Sequence, residues 1–304
     1  MSESAPGWPS FADLRARLDA CGFRPSRRLG QNFMLDPNLA AAICRDGGVQ
    51  DGDWVLEVGP GPGALTFQLA SLGAQLTALE IDERLLGLAR ENLSAFPEVQ
   101  WILADALAGK NELAPELLST LPDPGTPWKL VANLPYSISS PLMALLAQSA
   151  RAPTSMTCLI QKEVAERIVA APGSSSYGPL TVALTLGYRA EIVRTVGREL
   201  FWPRPQVESA VVRLDRLPEA PNPVEMARVR ALAQSLLGRR RQSLGRLIGE
   251  LLPRPEEGGE GGPRARAEAW LGSLGIDASR RAETLQVAEL RCLADRLKAD
   301  PGDS

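Results

Sequence analysis

The 304-residue sequence contains no histidine. That absence removes Ser-His and Cys-His nucleophilic catalysis and histidine metal sites, so any chemistry must run without an imidazole base. Cysteine is scarce too. Cys21, Cys44, Cys158 and Cys292 are scattered with no CxxC spacing, which argues against a disulfide framework or a zinc site. No apolar run approaches the ~20 residues of a membrane span. The opening residues, MSESAPGWPS, lack the basic start and apolar stretch of a signal peptide. Together these absences predict a cytoplasmic, reducing setting. The formal net charge of −3 carries no global sign of nucleic acid, so any such surface must be local. What is present, 44% hydrophobic and 23% charged residues, suits one large domain and a smaller companion.

From about residue 53, short apolar runs alternate with helical patterns. The runs at 54–59, 76–81, 99–104, 128–133 and 156–161 read as buried strands, with helically spaced apolar residues between them. That alternation predicts an α/β fold with a doubly wound, mostly parallel sheet. VESAVVRL (207–214) alternates better and suits an antiparallel addition. RLPEAPNPVE (216–225) carries three prolines and reads as a linker. Only helical patterns follow, at 225–238, 240–251, 265–274 and 286–298, interrupted by a loop at 253–264 expected to be mobile. The expected domains are 1–215 and 225–304.

EVGPGPGALT (57–66) sits where the first strand should hand over to a helix. Gly59, Gly61 and Gly63 allow a sharp turn and close approach of a ligand. Glu80, at the end of the second strand, can accept both hydroxyls of a ribose. Both features also suit NAD, and a plain Gly-Pro turn is the bland alternative. GxGxG spacing, unlike GxGxxG, is less suited to seating a pyrophosphate on a helix N-terminus. Asp105 ends the third strand and could take an adenine amino group, although a lone Asp there is often a turn or helix cap. An adenosine without diphosphate fits the three strand ends best, and S-adenosylmethionine is the candidate.

NLPYSISSP (133–141) follows the fourth strand. An exocyclic amine is a poor nucleophile because its lone pair is delocalised into the ring. The Asn133 side-chain oxygen and the Pro135 carbonyl could both accept from that NH2, localising the pair, while Tyr136 stacks on the base. No strong base is needed, in keeping with the missing histidine. The alternative is a simple Asn-Pro turn.

LGQNFMLD (29–36), EVGPGPGALT, NLPYSISSP, QKEVAERIVAAPGSSSYGPLTV (161–182) and FWPRPQVESAVVRL (201–214) together resemble the ribosomal RNA adenine dimethyltransferases. The similarity is greatest to the bacterial small-subunit, kasugamycin-resistance type and spans roughly residues 24–250. The resemblance implies a seven-stranded, Rossmann-like class I methyltransferase sheet with a small C-terminal all-helical domain. It also implies transfer of methyl groups from S-adenosylmethionine to N6 of two adjacent adenosines near the 3′ end of small-subunit (16S) rRNA, in an immature ribosomal subunit and by a monomer. By motif match, Asn32 and Met34 (where Leu is usual) would join Gly59, Gly61, Glu80, Asp105 and Asn133 around the cofactor. Asn133, Leu134, Pro135 and Tyr136 would form the catalytic loop, and Phe201 would stack on the flipped adenine opposite Tyr136. Phe201 could equally be a core aromatic. Six arginines and no acid lie between Met226 and Gly249. Behind a base-methylating domain, Arg239, Arg240 and Arg241 are expected to face solvent and contact RNA phosphates, against the alternative of a solvated face. The 122–127 and 253–264 loops read as insertions. Rival readings are an assembly factor with little turnover, a large-subunit monoadenine or DNA adenine methyltransferase, and an NAD dehydrogenase.

Overall fold

The structure is a computed structural model describing residues 7–20, 22–26, 30–34, 36–253 and 262–299. Cys21, Leu29, Leu35 and positions 254–261 of the loop expected to be mobile lie outside them.

Seven strands form one sheet: β1 (Trp54–Val58), β2 (Gln75–Glu80), β3 (Gln100–Leu103), β4 (Lys129–Asn133), β5 (Ser155–Gln161), β6 (Tyr188–Val196) and β7 (Ser209–Arg216). Their order is β3-β2-β1-β4-β5-β7-β6. The first five run parallel. β7 is antiparallel to both of its neighbours, as its alternation predicts. Central strands are buried on both faces, which is why β1 and β5 read as continuous apolar runs rather than alternating ones. Periodicity misses β6 for the opposite reason. It is an edge strand, half-exposed along its length, so YRAEIVRTV mixes charged and apolar residues on both faces. Asp36 and Asp82 cap the helices Pro37–Asp46 and Glu83–Asn92 by accepting from Asn38 N and Arg84 N. A separate two-residue ribbon pairs Phe33 with Trp202 and Met34 with Phe201.

The chain divides into two compact units, 1–166 with 188–218, and 167–187 with 219–304. Residues 167–187, expected in the first domain, therefore join the helical unit. The reason is packing: Tyr177, Val182 and Leu186 bury against Met226, Val229 and Leu290 in one apolar cluster. The Tyr177 hydroxyl also donates to Leu285 O at 2.8 Å. The unit contains the helices Pro179–Thr185, Pro223–Leu237, Leu244–Leu251, Pro263–Gly272 and Val287–Ala299. The proline-rich linker ends in a helix start, with Asn222 as cap and Pro223 in the first turn.

Candidate active site

The carboxyl ends of β1, β2 and β4 and the segment after β3 converge on one cleft. Asn32, Met34, Gly59, Gly61, Glu80, Asp105, Asn133, Leu134, Pro135 and Tyr136 all line it. Parallel strands bring these separated motifs to one edge of the sheet.

The glycine loop is flat because it must be. Gly59 and Gly61 have φ of 73° and 57°. A Cβ on Gly59 would stand 3.1 Å from Pro135 Cδ, and one on Gly61 would stand 2.9 Å from Phe33 Cδ1. Side chains at either position would push the loop off its neighbours and fill the cradle. Glu80 is 4% exposed. Its Oε2 accepts the Gly61 N–H at 3.1 Å, and its Oε1 accepts from Ile81 N at 2.9 Å and Asp82 N at 3.0 Å. Burial raises its pKa, against the pull of those three donors. Three of about four lone-pair sites are thus taken. One site on Oε2 is left for a ligand hydroxyl, rather than room for both ribose hydroxyls. Asp105 is exposed, and its Oδ1 caps its own turn by accepting from Leu107 N at 3.0 Å. Its Oδ2 has no partner among the described residues.

At the end of β4, Asn133 Nδ2 donates to Asn32 O at 3.1 Å, and Asn32 Nδ2 donates to Gly30 O at 3.1 Å. This fixes the Asn133 amide with Oδ1 as the free acceptor. The Pro135 carbonyl does not match its expected role. It accepts both Ile138 N and Ser139 N at 3.1 Å, closing the turn that starts the helix Ser139–Ala147, so both lone pairs are occupied. Next to it in the loop, the Leu134 carbonyl accepts none of the backbone bonds found among the described residues. The Tyr136 hydroxyl lies 2.7 Å from Ser209 Oγ on β7, and burial raises the phenol's pKa, so it is no base near neutral pH.

Phe201 is not on the cleft wall. It is 3% exposed and packs with Met34, Val196 and Val211, because the ribbon with Met34 pulls it into the core. The accessible face needed for stacking on a base is therefore absent here, and the core-aromatic alternative describes its place.

Ser209, which touches Tyr136 without lining the cleft, and Glu57, which lines it, escaped sequence reasoning. Ser209 is a polar residue in a buried strand, and Glu57 is an acid within the apolar run of β1. Those mismatches were the available signals. Glu57 is 1% exposed, lines the cleft, and its Oε2 has no hydrogen-bond partner among the described residues. Burial pushes its pKa up to about 8, with Thr66 opposing and the Glu80 charge reinforcing. Among the described residues no group of His, Cys, Asp and Glu could hold a metal ion.

In the helical unit, the arginine run differs from expectation. Arg239 pairs with Glu250, and Arg240 pairs with Glu283 while donating to the carbonyls of Ser174 and Ser175. The run has no acid within 226–249, but folding supplies acids from outside it. Only Arg241 of the three is exposed and without a partner among the described residues.

The profile of the family described as ribosomal RNA adenine dimethylase matches residues 22–259. The chain is 38% identical to the ribosomal RNA small subunit methyltransferase A of Phenylobacterium zucineum, over 93% of this chain and 91% of the other. It is 38% identical to the protein of the same name from Geobacillus thermodenitrificans, over 91% and 92%. Among solved structures, a dimethyladenosine transferase from Plasmodium falciparum shares the fold, with a TM-score of 0.72 at 23% identity over 88% of this chain and 98% of that one. The 23S rRNA methyltransferase ErmE aligns with a TM-score of 0.62 at 27% identity, over 88% and 99%.

Proposed function

The chain belongs to the ribosomal RNA adenine dimethylase family, and from this premise we propose that it dimethylates N6 of two adjacent adenosines of small-subunit (16S) rRNA, using S-adenosylmethionine, on an immature subunit in the cytoplasm. The small-subunit choice is supported by the relatives at 38% identity over nearly the whole chain. The observation that carries the chemistry is the Asn133 amide on the cleft wall, whose Nδ2 is tied to Asn32 O while its oxygen stays free to accept.

The cradle fits the cofactor. Glycines let the loop lie close against Pro135 and Phe33 on the cleft wall, where a nucleoside would rest on its backbone. Glu80 keeps one acceptor site for a ribose hydroxyl, Asp105 Oδ2 is open to an adenine amine, and Asn32 and Met34 close the other side. When bound, the cofactor supplies a methyl group on a sulfonium centre. Asn133 Oδ1 and the Leu134 carbonyl each accept one N–H of the target amine, drawing its lone pair out of conjugation. Tyr136 stacks on the extruded base, with Phe201 packed beneath the site. Held this way, the nitrogen lone pair would be aimed at the methyl group that the bound cofactor would supply. The alkylated nitrogen is acidic and sheds its proton to solvent, so no base is called for. In the helical unit, Arg241 contacts RNA phosphate.

Tritium transfer from the donor to immature small subunits, followed by mapping of the modified bases, tests this reading. Two adjacent dimethyladenosines are expected. Label in large-subunit RNA alone, or none at all, would overturn it.

A further inference from the structure

The Tyr136 hydroxyl and Ser209 Oγ are 2.7 Å apart. The bond is not needed for the sheet, because Ser209 already stands in the β7 ladder opposite Gln161 and Val196. Ser209 is fully buried and Tyr136 half-buried, so water competes little for the contact. The backbone of Tyr136 is held by the turn that Pro135 O closes, and the tip of its ring by Ser209. A phenol held at both ends has a fixed long axis, so the ring cannot swing out of its place.

We propose that Ser209 is a positioning residue for the second methyl transfer, acting through Tyr136 to decide whether the enzyme stops at monomethyladenosine. The proposal rests on the roles given above to Asn133, Leu134 and Tyr136. An unmethylated amine offers two N–H donors to two acceptors, Asn133 Oδ1 and Leu134 O. After one transfer a methyl has replaced one hydrogen, so only one donor remains. The base has lost one of the two bonds that aim it, and its orientation depends more on the ring it stacks against. An anchored ring preserves that aim; an unanchored ring lets it drift.

The test is single-turnover methylation of immature small subunits by the full chain with S-adenosylmethionine, with mono- and dimethyladenosine separated after digestion. For Ser209→Ala the first transfer should stay within about threefold of wild type, while the second slows by about tenfold, the worth of roughly one hydrogen bond. Monomethyladenosine should accumulate. Tyr136→Phe keeps the ring but cannot make the bond; it should accumulate the same product, and the double variant should be no worse than either single one. If Ser209→Ala fails to fold, Tyr136→Phe alone carries the test. A wild-type product ratio, additive losses in the double variant, or an equal fall in both transfers would overturn the proposal. Failure of the wild-type protein to methylate the particle would instead strike the function proposed above, which keeps the two failures distinct.

Discussion

Replacing Glu80 by Ala separates a structural role from a binding one, because the function proposed above gives the carboxylate both jobs. It accepts from Gly61 N, Ile81 N and Asp82 N, and it keeps one lone pair for a ribose hydroxyl. Removing it leaves three N–H groups without their acceptor. Ile81 is exposed and the site opens on a cleft, so water can reach part of the vacated space. The folding cost should therefore fall near roughly 1–3 kcal/mol, the penalty of about one unsatisfied buried group. In a unit of this size that lowers Tm by about 2–4 °C per kcal/mol. The ribose contact is a hydrogen bond to a charged group, worth about 1.5–3 kcal/mol, so donor affinity should drop roughly 10- to 150-fold. Calorimetry with two nucleosides isolates the second effect. Wild type should prefer adenosine to 2′,3′-dideoxyadenosine, and Glu80→Ala should lose that preference. A variant that melts earlier yet discriminates between the two nucleosides as wild type does would mean that Glu80 only braces the glycine loop.

Three further outcomes are expected. Asn133→Ala should slow single-turnover methylation by on the order of 100-fold, the typical loss for one aligned polar group at a reacting centre; wild-type turnover would remove Asn133 from the mechanism. Glu57 holds a proton in the folded state up to about pH 8, whereas the unfolded carboxyl loses it near 4.5, so the fold binds more protons between those values and stability should fall as pH rises through that window. The slope is up to about 1.4 kcal/mol per pH unit from this group, and denaturant titrations at several pH values should find it missing in Glu57→Gln; a variant with the wild-type slope would refute the assignment. Arg241→Glu should weaken binding of the ribosomal particle and lower the log–log salt slope by about one unit, while Arg240→Glu should instead lower the melting temperature by breaking its contacts to Glu283, Ser174 and Ser175; identical behaviour of the two variants would refute the division.

The sequence announces strand ends better than it announces contacts, and the reason is physical. Gly59, Glu80, Asp105 and Asn133 each break an apolar run, and parallel order brings such breaks to one edge whatever the loops between them do. Edge strand β6 is invisible because neither face is fully covered, so no period of two is imposed on Tyr188–Val196. Long-range pairings are invisible for another reason. Nothing local tells that Phe201 is drawn inward by Met34, or that Glu250 and Glu283 return to neutralise Arg239 and Arg240. In each case the motif names the right neighbourhood while the hydrogen-bond account names the working atom. Pro135 stands in the middle of the NLPY motif, yet its carbonyl is spent on the turn. With Asn133 Nδ2 tied to Asn32 O and Pro135 O spent on the turn, Asn133 Oδ1 and the Leu134 carbonyl keep capacity to spare, and the function proposed above gives them the two hydrogens of an adenine amine.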